Sequence, residues 1–397
     1  MEVPGTAGCA KTSDWFVWAS PAPNIPSDHF ADNLLAMICE CRRSAIAAAL
    51  WIAGLACSRT PMSEPQGVTM NGTGGGGTTV TGTMGGATNS PAGTAASGGT
   101  AGGNTTAGGT PPSCSGLAST CGPLGESCCT SLPVPGGTFY RSYDGVEYTD
   151  NSYPATVDDF YLDKYEITVG RFRQFVNAGM GTQASPPVSG AGANPLIAGS
   201  GWDSTWNSYL PADTASLKAA MKCVAIYETW TDPAGSNESK PVNCMDWYTA
   251  FAFCAWDGGR LATEAEWNYA ASGGSEQRAY PWSSPPTSTT IDDSYVVYCG
   301  GSCASAQNVG SKSPKGDGKW GQADLAGNVW EWTLDWYSSP YQMPCDDCAD
   351  LVAAAGRVIR GGVFVLDASG LWSSYRINYG AGNRNGGIGS RCARNSL

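Results

Sequence analysis

The chain has 397 residues with only 22 Lys and Arg against 34 Asp and Glu, a formal charge of −12. So acidic a chain is a poor phosphate binder, which excludes nucleic acid as a partner. Its one histidine is His29, in a segment expected to be absent from the mature protein, so a Ser-His-Asp triad, a Cys-His pair and a His-ligated zinc or copper site are excluded as well.

In chain order, residues 1–36 carry no readable pattern, and Met37 is the expected true start. Residues 37–57 read as an export signal. Arg42 and Arg43 form a basic head, and Ser44 to Gly54 form an apolar stretch too short for a membrane span, which needs ~20 residues. The stretch ends in Leu55-Ala56-Cys57, which resembles the lipobox of bacterial lipoproteins. That resemblance implies cleavage before Cys57, lipidation of its thiol and attachment to a membrane through the lipid. Ser58 in the next position leans towards the outer membrane or cell surface. A plain secretory signal is the alternative.

Residues 58–113 are rich in Gly, Thr, Ala and Ser with almost no charge, the composition of a flexible linker. A Gly-rich coil of this length spans roughly 40 Å, enough to hold a domain off a surface. Residues 114–132 bring Cys114, Cys121, Cys128 and Cys129 close together. An exported chain favours disulfides over a zinc site there, making the segment a staple on the edge of a domain.

Residues 133–397 are expected to form one α+β, loop-rich domain. Thr168 caps a helix that presents Phe172, Phe175 and Val176 and stops near Gly179. Asp246 opens a second, with Trp247, Ala250, Phe251 and Cys254 at helical spacing before Gly258-Gly259. Thr263 and Glu266 form the capping-box pattern of a third, closed at Gly273. Short strands and turns fill the rest. The domain holds Cys223, Cys244, Cys254, Cys299, Cys303, Cys345, Cys348 and Cys392. Disulfides are favoured over zinc, and over a redox role for Cys345-x-x-Cys348, which would need a thioredoxin-like context. Cys254 could equally be a buried free thiol.

Seven stretches, in order, resemble the formylglycine-generating enzyme (sulfatase-modifying factor) family. They are "VPGGTFYRS" (134–142), "VDDFYLDKYEITVGRFRQFV" (157–176), "KPVNCMDWYTAFAFCAW" (240–256), "GRLATEAEWNYAASGG" (259–274), "DLAGNVWEWTLDWY" (324–337), "RVIRGGVF" (357–364) and "GSRCAR" (389–394). Ala262 departs from the family's usual Pro. The resemblance implies a disulfide-rich, C-type-lectin-like α+β domain with little regular secondary structure. It also implies a calcium-binding turn at Asn328, the Val329 carbonyl and Glu331, oxygen donors of the kind calcium takes. The plainer reading has Trp330 and Trp332 filling core while Glu331 meets solvent or an arginine.

Family members oxidise a sulfatase cysteine with copper held by two cysteines five residues apart. In the matching run "WSSYRINYGAGNR" (372–384), Ser374 and Tyr379 stand at those positions. A hydroxyl and a phenol are poor ligands for Cu(I), so copper is not expected. The reading this favours is a non-catalytic module binding a peptide, glycan or surface protein in a groove of Ser374, Tyr375, Arg376, Asn378, Tyr379, Asn383 and Arg384; Arg376 is also a candidate to pair with a buried carboxylate. The alternatives are a divergent formylglycine-generating oxidoreductase and a structural lipoprotein without a specific ligand.

Overall fold

The structure, a computed structural model, describes residues 110–117, 120–300 and 305–395. The extension 1–36, the signal 37–57 with its Cys57, and all but the last few residues of the linker lie outside them. Within the described part, twelve strands and four helices follow one another. First come β1 (Thr120–Cys121), β2 (Glu126–Ser127), β3 (Ser131–Val134), β4 (Gly137–Tyr140), β5 (Pro154–Val157) and β6 (Phe160–Asp163). The helices α1 (Val169–Asn177), α2 (Thr214–Ala220) and α3 (Trp247–Trp256) follow, then β7 (Arg260–Leu261) and α4 (Glu264–Ser272). The chain closes with β8 (Trp330–Trp336), β9 (Arg357–Arg360), β10 (Arg376–Tyr379), β11 (Ile388–Gly389) and β12 (Cys392–Asn395).

The strands form two four-stranded sheets, ordered β10-β9-β8-β11 and β3-β6-β12-β7, and two small ribbons, β1-β2 and β4-β5. The three predicted helices are present with their predicted caps. Thr168 accepts from the Arg171 amide, Asp246 from the Thr249 amide, and Thr263 and Glu266 make the full capping box. Sequence spacing gave α3 one apolar stripe, but the structure buries Trp247 through Cys254 without a break. A helix apolar on every side belongs in the interior. It packs with Phe172, Phe175, Trp332 and Ile359 in the main core. Helix α4 is likewise buried along its whole length.

Strand β8 is buried on both faces, so its alternation decides what each face meets. Trp330 and Trp332 join the aromatic core, with the Trp332 indole donating to the Met245 carbonyl at 2.9 Å. Glu331 turns the other way: Arg391 donates to both its oxygens at 2.7 Å, and the Trp267 indole donates at 2.8 Å. The plainer reading of this stretch therefore holds for all three residues. In the loop after β9, Gly362 sits at φ 78°, and a Cβ there would come within 2.4 Å of the Gly370 carbonyl oxygen, so only glycine fits.

Disulfides join Cys114–Cys129, Cys121–Cys128, Cys223–Cys244, Cys254–Cys392 and Cys345–Cys348. Cys299 is disulfide-bonded too. This removes both the zinc reading of 114–129 and the free-thiol reading of Cys254. The Cys-rich segment is also more than an edge staple. Ser113, at the end of the expected linker, is fully buried; its amide donates to Asp257 at 2.9 Å and its hydroxyl accepts from Arg171 at 3.0 Å. Arg171 also pairs with Asp163 at 2.8 Å and Asp257 at 2.6 Å, all three side chains fully buried. One guanidinium thus ties the N-terminal segment, β6, α1 and the end of α3 together.

Candidate functional site

The face of the β10-β9-β8-β11 sheet opposite the aromatic core is polar. Arg376 and Arg360 are cross-strand partners, and Arg360 opposes Glu331 in the next pair. Side chains of directly opposed residues share a face. Glu264, in the first turn of α4, closes this layer. Arg360 donates to it at 2.6 Å and Arg376 at 2.8 Å. The Tyr341 hydroxyl, in the loop after β8, donates to the same carboxylate at 2.9 Å and accepts from Arg360 at 2.8 Å. The Tyr341 ring lies between two more cationic contacts, Arg376 at 4.1 Å and Arg141 at 4.4 Å.

Burial works to raise the Glu264 carboxyl, but Arg376 and Arg360 outweigh it and hold it below its ordinary value. Asp335, two strand steps from Thr333 on β8, has no such partner. Burial, and then the Glu264 charge, push it up to about 7, although it accepts from the Glu264 and Asp350 amides at 2.7 and 2.8 Å. Burial likewise raises Tyr341, which is a neutral hydrogen-bond donor at physiological pH. A pocket of about 110 Å³ beside the network is lined by Arg141, Glu264, Asp335, Tyr341, Cys348 and Asp350 among others. The layer can hold charge and titrate near neutrality; it contains no activated nucleophile.

The expected groove is only partly assembled. Ser374 is fully buried, its hydroxyl has no hydrogen-bond partner and its carbonyl accepts from Arg360 at 3.0 Å, so it forms no groove wall. Arg376 is spent on Glu264, as the carboxylate alternative anticipated. Arg384 is tied to the start of α3, donating to Asp246 at 2.7 Å, Thr249 at 2.9 Å and the Cys244 carbonyl at 2.8 Å. Tyr375 and Tyr379 are half-buried beside Trp330 and Trp332, at 5.8 and 6.2 Å between rings. Asn378 and Asn383 are exposed. Four of the seven thus offer surface: Tyr375, Asn378, Tyr379 and Asn383.

At the proposed calcium turn, Asn328 adopts φ 57°. Its carboxamide is committed, accepting from the Gln307 amide at 3.0 Å and donating to Glu166 at 2.7 Å; the Val329 amide donates to Glu166 at 3.2 Å. Sequence reasoning missed Glu166, Asp324 and Arg391, although each lies inside a quoted stretch. Burial, then Asp324 and Glu331, raise Glu166 well above its ordinary value, and burial raises Asp324 to about 6. Of these three acids only Glu331 bonds the Arg391 guanidinium, and burial favours the neutral form of Glu166. Arg141, Glu264, Asp335 and Tyr341 were missed as well. Charged residues in a short helix or a Pro-rich loop carry no period that reveals a shared layer.

The sulfatase-modifying factor enzyme 1-like domain matches residues 120–396. Formylglycine-generating enzyme from Mus musculus is 27% identical over 325 residues, covering 70% of this chain and 78% of that protein. The inactive C-alpha-formylglycine-generating enzyme 2 of Mus musculus is 27% identical over 271 residues, covering 60% and 75%. Among solved structures, PvdO from Pseudomonas aeruginosa superimposes with a TM-score of 0.48 at 21% identity, over 67% of this chain and 94% of PvdO. With the family pattern running from the first strand to the last, the chain belongs to the sulfatase-modifying factor enzyme 1-like domain family.

Proposed function

We propose that this domain is a non-catalytic binding module. One observation carries the reading: Cys348 and Cys392, which flank the run 372–384 in sequence, are closed in disulfides, and within that run the resemblance sets Ser374 and Tyr379 at the positions of the family's copper-binding thiols. A buried serine hydroxyl and a phenol do not fit Cu(I), which selects thiolates. A relative named as inactive gives the reading a precedent. The surface of Tyr375, Asn378, Tyr379 and Asn383 combines aromatic and amide groups, and aromatic residues are enriched at binding hot spots. Its ligand is a peptide, glycan or surface protein. Anaerobic Cu(I) titration, followed by oxygen uptake on a sulfatase-type cysteine peptide, tests the reading. We expect neither stoichiometric copper nor turnover, and Ser374→Cys with Tyr379→Cys should restore copper binding. Turnover by the unaltered chain would establish the divergent oxidoreductase instead.

Calcium is the cofactor proposed for the turn. The family resemblance supports it at the Asn328–Val329 turn, although Glu331 is neutralised by Arg391, the Asn328 side chain is already bonded, and among the described residues no three acidic, Cys or His side chains gather to hold a metal. Calcium takes oxygen ligands in irregular loops. It should raise the melting temperature of the metal-stripped protein, and Asn328→Ala should abolish that rise. Export, and a lipid anchor at Cys57, are proposed from the signal-like segment and supported by disulfide usage, which belongs to oxidising compartments. Among the described residues, no helix is long and apolar enough to cross a membrane.

A further inference from the structure

The fully or nearly fully buried arginines divide into two groups. Arg171, Arg360 and Arg391 each meet a carboxylate at 2.6–2.8 Å. Arg357 on β9, 3% exposed, has no such partner among the described residues. Its guanidinium carbon lies 3.7 Å from the Trp247 ring centre, 4.0 Å from Trp336 and 5.9 Å from Trp206. One nitrogen donates to the Leu334 carbonyl at 2.6 Å, while Nε has no partner. The acids that act on it from a distance, Asp335 and Asp350, are engaged elsewhere: Asp335 accepts from two backbone amides, and Asp350 accepts from the Val352 amide. Burying a cation without a counter-charge is unfavourable, and the protein retains this one inside an aromatic cage.

Two of the three cage rings, Trp206 and Trp336, line with Arg357 a cavity of about 180 Å³, together with Leu334, Leu351 and the exposed Ala353 on its rim. Apolar cavities of about 150 Å³ accept a benzene ring. A carboxylate is an anion that pairs readily with a guanidinium, and with one nitrogen on the Leu334 carbonyl and Nε closed off, the other terminal nitrogen is the point of contact. Arg141 is the other buried arginine without an ion pair. Its guanidinium is used by the Gln342 carbonyl, and the ionised Glu264 lining its smaller pocket repels an anion.

We propose that the cavity at Arg357 binds a carboxylate carried on a flat apolar body, the charge on the guanidinium and the ring against the tryptophans. The site is separate from the surface at Tyr375 and Asn378, and stands whether or not that surface binds a ligand. The carboxylate could belong to a free aromatic acid or to a chain terminus ending in an aromatic residue. Titration of the full chain with benzoate, and with benzamide as its uncharged counterpart, is followed by tryptophan fluorescence and calorimetry. Saturable binding of benzoate at least tenfold tighter than benzamide is expected. Gly-Gly-Phe and its C-terminal amide distinguish the sources: the acid form binding more tightly than benzoate identifies a chain terminus, and no binding of the peptide identifies a free acid. Arg357→Gln should abolish the preference for benzoate. Because that change could unfold the domain, Ala353→Trp, which fills the rim from an exposed position, should block benzoate with circular dichroism unchanged. Equal binding of benzoate and benzamide, no saturation up to about 10 mM, ten times a Kd of about 1 mM, or benzoate binding that survives in the Ala353→Trp variant would overturn the proposal.

Discussion

Replacing Glu264 by glutamine keeps the shape of the side chain and removes its charge. In the native protein that charge faces two guanidinium groups at 2.6 and 2.8 Å, and the Arg360 side chain is fully buried. Asp335, raised to about 7 by burial and then by the Glu264 charge, would ionise more readily in the variant, but its oxygens are held by the Glu264 and Asp350 amides and hydrogen-bond neither arginine. The variant therefore leaves two cations in the interior with one amide oxygen between them. Removing one partner of a buried pair costs about 3–5 kcal/mol, because the remaining charge stays desolvated. Against a total stability of about 5–15 kcal/mol, that is a large fraction. For a domain of this size it corresponds to a fall in Tm of about 6–10 °C. Urea unfolding followed by tryptophan fluorescence measures it, with near-ultraviolet circular dichroism confirming that the native fold persists. Adding Arg376→Met to Glu264→Gln should recover part of the loss by removing one stranded cation. A loss below about 1 kcal/mol, or no recovery in the double variant, would refute the view that this layer is a desolvated, mutually dependent ion network.

Asp335 should make the protein less stable as pH rises. Its folded value of about 7 lies above the ordinary 3.8, so the unfolded chain releases the proton first and stability falls between about pH 4 and 7. The span of about three units corresponds to about 4 kcal/mol, and Asp335→Asn should flatten that part of a stability-against-pH profile measured by urea unfolding. Cys254 and Cys392 are fully buried and close a loop of 138 residues. Loop entropy assigns this bond about 5 kcal/mol, so replacing both by alanine should lower the urea midpoint substantially. Cys57→Ala should shift the protein from the detergent phase to the aqueous phase in a detergent-partition assay; equal partitioning would remove the lipid anchor.

Local signals in the sequence were read correctly wherever local physics governs the outcome. Thr168, Asp246 and the Thr263–Glu266 pair cap the helices they were expected to cap, because a cap is decided within four residues. The motif order gave the fold for the same reason: each stretch carries its own turn or strand signal. What could not be read is which distant charges meet. Glu264 finds Arg360 and Arg376 across 96 and 112 residues, and Arg391 finds Glu331 across 60. Spacing gave α3 a single apolar stripe, yet it is buried from Trp247 through Cys254, because the fold surrounds it with sheets and loops that no local window contains. Ser374 and Arg376 were placed on a groove wall for a related reason. Alignment to a family position fixes where a residue lies along the chain, and burial is decided by what packs over it, here the loop bearing Tyr341 and the carbonyl contacts of Arg360.

The same packing bears on how catalysis and structure separate in this chain. Ser374 sits fully buried with Arg360 against its carbonyl. Arg360 in turn is held by Glu264 and Tyr341, so the segment around Ser374 is fixed by the ion network beneath it. The network does not require a thiol at position 374: Arg360 grips backbone carbonyls, which any residue there supplies. A change from cysteine to serine at such a position removes copper affinity and leaves the supporting contacts in place. The same backbone contacts can form with thiols at 374 and 379, so introducing them tests the proposed function without rebuilding the fold.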